Sequence, residues 1–134
     1  MMGREPLVSQ PSAETNAKTV LVVDDEPLVG FMVESILSDE GFEVLYASNG
    51  DDALEVLQNH ESIVAIVTDI DMPGMSGLEL AAAVRRARPD LGIVLMSGGV
   101  MPDPAAMQCR MAYLAKPCTP TQIVTLVRDL TAPA

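Results

Sequence analysis

Unbroken runs of apolar, mostly β-branched residues recur at positions 20–23, 63–68 and 93–96, and each ends at an acid or a serine. A strand with one face in water alternates apolar and polar residues, whereas a continuous apolar run marks a strand covered on both faces, as in parallel sheets. Two weaker strand signals complete the set, an alternating one at 42–47 and a short one at 112–114. Between them lie segments of helical character. Over 27–38, Leu28, Val29, Phe31, Met32, Val33, Ile36 and Leu37 recur at helical spacing, with Pro27 suited to the first turn and Gly41 to a C-terminal cap. Residues 51–59, 78–87 and 119–130 read as further helices, the last with Thr119 as N-cap and Pro120 in its first turn. Asn49-Gly50 reads as a turn, and Gly74, Ser76 and Gly77 as a flexible loop. Strand and helix in strict alternation predict an α/β fold, a doubly wound sheet of five parallel strands.

One stretch breaks the rhythm. Gly98, Gly99, Pro102 and Pro104 leave only 105–111 for a fourth helix of the alternation, which is expected to be short or irregular. At 134 residues the chain suits one domain, expected over 18–131, with 1–17 a polar, disordered lead-in and 132–134 a tail. No output module is expected. Although 49% of residues are apolar, no run is long enough to cross a bilayer, so a cytoplasmic location is expected. Nineteen acidic side chains against eight basic ones, a formal charge of −11, disfavour a phosphate-neutralising DNA surface. Cys109 and Cys118 lack metal-ligand spacing and are expected as reduced thiols.

In a parallel sheet the charges that follow these runs meet at one edge, where open α/β sheets keep their sites. Asp24 and Asp25 follow the first run, Asp69 follows the third strand, Ser97 closes the fourth and Lys116 follows the fifth. Clustered carboxylates repel one another unless a cation intervenes. An all-oxygen set without His or Cys selects a hard ion such as Mg²⁺, with Asp24, Asp25 and Asp69 as ligands. A lysine and a hydroxyl beside a metal stabilise negative charge on a phosphoryl group, and Asp69, on the more central strand, is the candidate nucleophile for acyl-phosphate chemistry.

The segments Val22-Val23-Asp24-Asp25-Glu26, Thr68-Asp69-Ile70-Asp71-Met72-Pro73-Gly74, Leu95-Met96-Ser97-Gly98 and Tyr113-Leu114-Ala115-Lys116-Pro117 resemble, in order, the signature segments of two-component response-regulator receiver domains. That resemblance implies a flavodoxin-like (βα)5 fold and a phosphorylation-dependent signalling switch rather than a metabolic enzyme, with self-catalysed phosphoryl acceptance and autodephosphorylation only. It implies Asp69 as phosphoacceptor, Mg²⁺ held by Asp24, Asp25, Asp69 and the backbone carbonyl of Asp71, and Lys116 paired with the phosphoryl group. Ser97 becomes the switch hydroxyl, Tyr113 the switch aromatic, and the Lys116-Pro117 peptide cis. The implied partners are a sensor histidine kinase or histidine phosphotransfer protein and a downstream protein target. No direct DNA contact, no membrane contact and a monomer are expected. The spacing from Ser97 to Lys116, nineteen positions, is a few shorter than that family's usual one.

Two other readings compete. Asp69-Ile70-Asp71 also resembles the catalytic Asp-x-Asp of haloacid-dehalogenase-type phosphatases, although those enzymes open on the nucleophile strand and carry a larger body. The chain could instead be a non-phosphorylated interaction module that keeps only the receiver fold. Arg85, Arg86 and Arg88 read as a solvated helix end that complements the dipole, His60 as an exposed residue, and the methionines, Met32 among them, as packing and loop filler.

Overall fold

A computed structural model describes residues 18–99 and 110–132. Its elements run β1 (Thr19–Val23), α1 (Pro27–Asp39), β2 (Glu43–Ala47), α2 (Gly50–Asn59), β3 (Ile63–Asp69), α3 (Gly77–Ala87), β4 (Gly92–Ser97), β5 (Met111–Ala115) and α4 (Pro120–Thr131). The five strands form one sheet in the order β2-β1-β3-β4-β5, and every neighbouring pair is parallel. The chain leaves β1 for one edge, then returns to β3 on the other side. That reversal opens a crevice at the carboxyl ends of β1 and β3.

The alternation along β1 explains its unbroken apolar run. Leu21 and Val23 face one core with Ile66, Leu80 and Val84, whereas Val20 and Val22 face the other with Val33, Leu37 and Val127. Helices α2 and α3 close the first core and α1 and α4 the second, so every residue of β1 is buried. The five-stranded parallel sheet expected from the sequence is therefore present. The short or irregular helix expected over 105–111 lies largely outside the described residues; its last position, Met111, instead opens β5 and pairs with Ile93.

Local chemistry sets where the helices begin. Asn49 accepts a hydrogen bond from the Asp52 amide at 2.8 Å, so the Asn49-Gly50 pair is a helix cap and first helical residue, not a separate turn. Ser76 likewise leaves the expected loop: with Glu79 it forms a capping box at the start of α3. Thr119 and Gln122 repeat the device on α4. Gly41, at φ +96°, ends α1 in a conformation that side chains rarely adopt.

The arginines depart from expectation. Arg85 donates through Nη1 to the carbonyls of Pro89 and Leu91, each at 2.7 Å, and through Nη2 to that of Arg110 at 3.3 Å. Arg88 donates to the carbonyl of Ile63 at 2.6 Å, and Arg110 to those of Asp90 and Leu130. Carbonyls of loops and element ends at the amino edge keep lone pairs that the strand ladder does not use, and a guanidinium, with five donors, satisfies several at once. Arg85 and Arg88 are thus inter-segment clamps rather than a solvated helix end. Arg86 is exposed as expected.

Helix α3 starts directly against the end of β3. A Cβ on Gly77 would lie 2.3 Å from the carbonyl oxygen of Asp69 and 2.7 Å from Cα of Ile70, and both obstacles are backbone. Gly77→Ala is therefore expected to cost about 1–3 kcal/mol, as overpacking typically does. Urea denaturation measures it; an unchanged midpoint would mean that α3 is free to move away from β3.

Candidate functional site

Four of the five strands end by delivering one polar group to the crevice. Asp24, 4% exposed, follows β1; Asp69, 8% exposed, closes β3; Ser97, 2% exposed, closes β4. Lys116 follows β5, and its amide extends the ladder by donating to the Ser97 carbonyl at 2.9 Å. Its ammonium nitrogen lies 3.4 Å from Asp69 Oδ1 and 4.0 Å from Asp24 Oδ2. The Lys116-Pro117 peptide is cis.

Asp24 is held in place from three directions. Its Oδ1 accepts the Glu26 amide at 2.9 Å, its carbonyl accepts the Tyr46 hydroxyl at 2.6 Å, and its amide donates to the Ala47 carbonyl at 3.2 Å. Burial pushes its carboxyl above the ordinary aspartate value; the Glu26 amide and the Lys116 ammonium oppose that rise, and the charges of Asp69 and Asp25 reinforce it. Burial, with Asp24 and Asp25 nearby, also raises the Tyr46 hydroxyl. No sequence signal marks Tyr46 as part of the site. It reaches Asp24 only because the register sets it opposite Val22, and no local pattern encodes that pairing.

One oxygen each of Asp24, Asp25 and Asp69 lies within 4.8 Å of the other two. Three carboxylates face one ammonium, and their hard oxygen donors fit a divalent cation of the Mg²⁺ type rather than a thiolate- or imidazole-seeking metal. The Asp71 amide points at Asp69 Oδ1 at 3.4 Å. The Asp71 side chain, absent from the sequence reading except through its backbone, accepts the Ser97 hydroxyl at 2.9 Å. Ser97 Oγ in turn accepts the Gly99 amide at 3.0 Å, and the half-buried Tyr113 donates its hydroxyl to the Ser97 carbonyl at 3.3 Å.

A groove of about 460 Å³ flanks this centre, lined by Glu26, Met32, Met96, Lys116, Pro117 and Cys118. Burial raises the Cys118 thiol, against the pull of Lys116, so it stays protonated at neutral pH. Met32 is exposed on α1 beside Leu28 and Phe31, contrary to the packing role expected of it.

The family model of the response regulator receiver domain matches residues 20–128. The chain belongs to that family. Its receiver domain is 30% identical over 118 residues to the transcriptional regulatory protein AruR of Pseudomonas aeruginosa, covering 83% of this chain and 48% of AruR. The chain thus spans about half the length of that relative. Among solved structures, a response regulator receiver protein from Sinorhizobium medicae is 33% identical with a TM-score of 0.80, covering 86% of this chain and 94% of that one. The response regulator TrrA of Thermotoga maritima, solved in complex with Mg²⁺ and BeF, is 32% identical with a TM-score of 0.75, covering 84% and 98%. The flavodoxin-like expectation holds, and the receiver is the phosphorylation-dependent signalling module of two-component systems rather than a phosphatase of the haloacid-dehalogenase type. Among the described residues no helix is long and apolar enough to cross a membrane.

Proposed function

We propose that this receiver domain takes a phosphoryl group onto Asp69 from a sensor histidine kinase or a histidine phosphotransfer protein in the cytoplasm. The carrying observation is the convergence of Asp24, Asp25 and Asp69 within 4.8 Å, with the Lys116 ammonium 3.4 Å from Asp69. An Asp69 carboxylate oxygen attacks phosphorus, the P–N bond of the phosphohistidine breaks, and the imidazole leaves with the electron pair. Lys116 offsets charge on the transferred group. Asp24, Asp25, Asp69 and the Asp71 carbonyl would hold Mg²⁺, which neutralises charge on the phosphoryl oxygens when bound. Ser97 then donates its hydroxyl to a phosphoryl oxygen, Tyr113 follows it, and the altered surface acts on a protein target. Hydrolysis of the acyl phosphate by water resets the site. The domain works as a monomer without touching DNA, in keeping with its charge of −11. Titration with beryllofluoride and Mg²⁺, followed by amide NMR, tests the reading: shifts at Ser97 and Lys116 are expected, and an unchanged spectrum overturns it.

The donor's docking face is the first half of α1. Leu28 is 84% exposed, and with exposed Phe31 and Met32 it makes an apolar patch beside the groove that runs to Lys116. Scattered apolar residues are ordinary on a surface, but a cluster at the rim of a site marks a contact face. A donor bringing its phosphohistidine to Asp69 must cover that rim. Leu28→Asp with Met32→Asp is expected to lower kcat/KM for transfer from the phosphorylated donor at least about tenfold, as hot-spot losses do. Phosphorylation by acetyl phosphate, which needs no docking, should be unchanged; equal loss with both donors would place the effect in the site itself.

A further inference from the structure

We propose that the Asp71 carboxylate is a latch that holds the Ser97 hydroxyl in its resting orientation, a positioning role that rests on the reading of Asp69 as phosphoacceptor. A serine hydroxyl has a single proton to donate. Here that proton goes to Asp71 Oδ2 at 2.9 Å, and the oxygen accepts the Gly99 amide at 3.0 Å. Ser97 itself is only 2% exposed while Asp71 and Gly99 are exposed, so the two bonds tie a buried strand end to the solvent-facing loops beside it. While the bond to Asp71 persists, Ser97 has no proton to offer a phosphoryl oxygen on Asp69.

The acceptor's charge matters. A hydroxyl donating to a carboxylate is held more firmly than one donating to a neutral oxygen. Phosphorylation therefore exchanges one anionic acceptor for another instead of recruiting an idle hydroxyl, and Asp71 sets the threshold of the exchange. The Asp71 amide faces Asp69 Oδ1 at 3.4 Å, which ties the latch to the phosphoacceptor two residues away. The same hydroxyl also anchors the Gly99 amide, so its departure frees the backbone where the chain leaves β4.

The test compares wild type, Asp71→Ala, Asp71→Asn, Ser97→Ala and the Asp71→Ala/Ser97→Ala pair, each checked for folding by thermal melting. In saturating Mg²⁺, Asp71→Ala is expected to lower the apparent Kd for beryllofluoride about tenfold, the worth of one charge-assisted hydrogen bond. Asp71→Asn, which keeps an acceptor without the charge, should fall between. In the Ser97→Ala background the Asp71→Ala gain should vanish. Without ligand, the Gly99 amide resonance should move in Asp71→Ala and in Ser97→Ala alike.

An unchanged or weaker Kd in Asp71→Ala overturns the latch. The same gain in both backgrounds also overturns it, since removal of a nearby negative charge would then suffice. A static Gly99 resonance does so too. Failure of the wild type to bind beryllofluoride removes the phosphoacceptor reading and the latch together, whereas normal binding without an Asp71 effect removes the latch alone.

Discussion

Asp69→Ala is expected to abolish labelling by acetyl phosphate in Mg²⁺, with the rate of phosphoryl uptake down about a thousandfold or more, as when a nucleophile is removed. Of the clustered carboxylates, Asp69 alone closes a central strand, lies 3.4 Å from the Lys116 ammonium and adjoins the amide of Asp71. Asp24 is committed to the Glu26 amide, and Asp25 is exposed at the rim. The fold should survive the substitution, since removing one of three crowded negative charges relieves repulsion. Gel-shift electrophoresis of phosphorylated protein, beside circular dichroism, reads both outcomes. Undiminished labelling of Asp69→Ala would move the phosphoacceptor to another carboxylate and undo the assignment.

Withdrawal of Mg²⁺ should separate stability from function at Asp24. A cation that binds only the folded chain adds about 2.7 kcal/mol of stability at a hundred times its Kd. Wild type is therefore expected to melt higher in Mg²⁺ than in a chelator. Asp24→Asn should lose most of that increment, because the buried oxygen pair that faces Asp25 and Asp69 becomes a neutral amide. In the chelator the order reverses. The amide oxygen can still accept the Glu26 N–H, while the cost of burying a carboxylate among like charges disappears. The raised carboxyl of Asp24 sets the direction of that gain, and Lys116, which loses a partner at 4.0 Å but keeps Asp69 at 3.4 Å, trims it. Asp24→Asn with a full Mg²⁺ increment would exclude Asp24 as a ligand.

The features legible in the sequence were those that local pattern encodes. Buried strands β1, β3 and β4 showed as unbroken apolar runs because both faces are covered, and their ends located Asp24, Asp69 and Ser97. Edge strand β5 runs one residue further at each end than the expected 112–114, because an edge strand is only half-buried and its apolar signal is weak. At Ser76 the flanking glycines signal a loop and mask the Glu79 three positions on that completes its cap. What stayed hidden depends on register and side-chain reach: Tyr46 over Asp24, Asp71 under the Ser97 hydroxyl, Arg85 and Arg88 across the loops. Each joins positions far apart in the chain, or a side chain whose direction spacing does not set.

The arginine clamps have an electrical consequence. Arg85, Arg88 and Arg110 gather at the amino rim of the sheet, while Asp24, Asp25, Asp69 and Asp71 gather at the opposite rim. Among these groups positive charge collects at one end of the strands and negative charge at the other, on a chain whose overall charge is negative. A protein with a basic rim, arriving from bulk solution, is turned to meet the acidic mouth before any contact forms, within a Debye length of about 8 Å at physiological salt. Productive encounters are selected by torque at a distance, and added salt slows them before it weakens any contact.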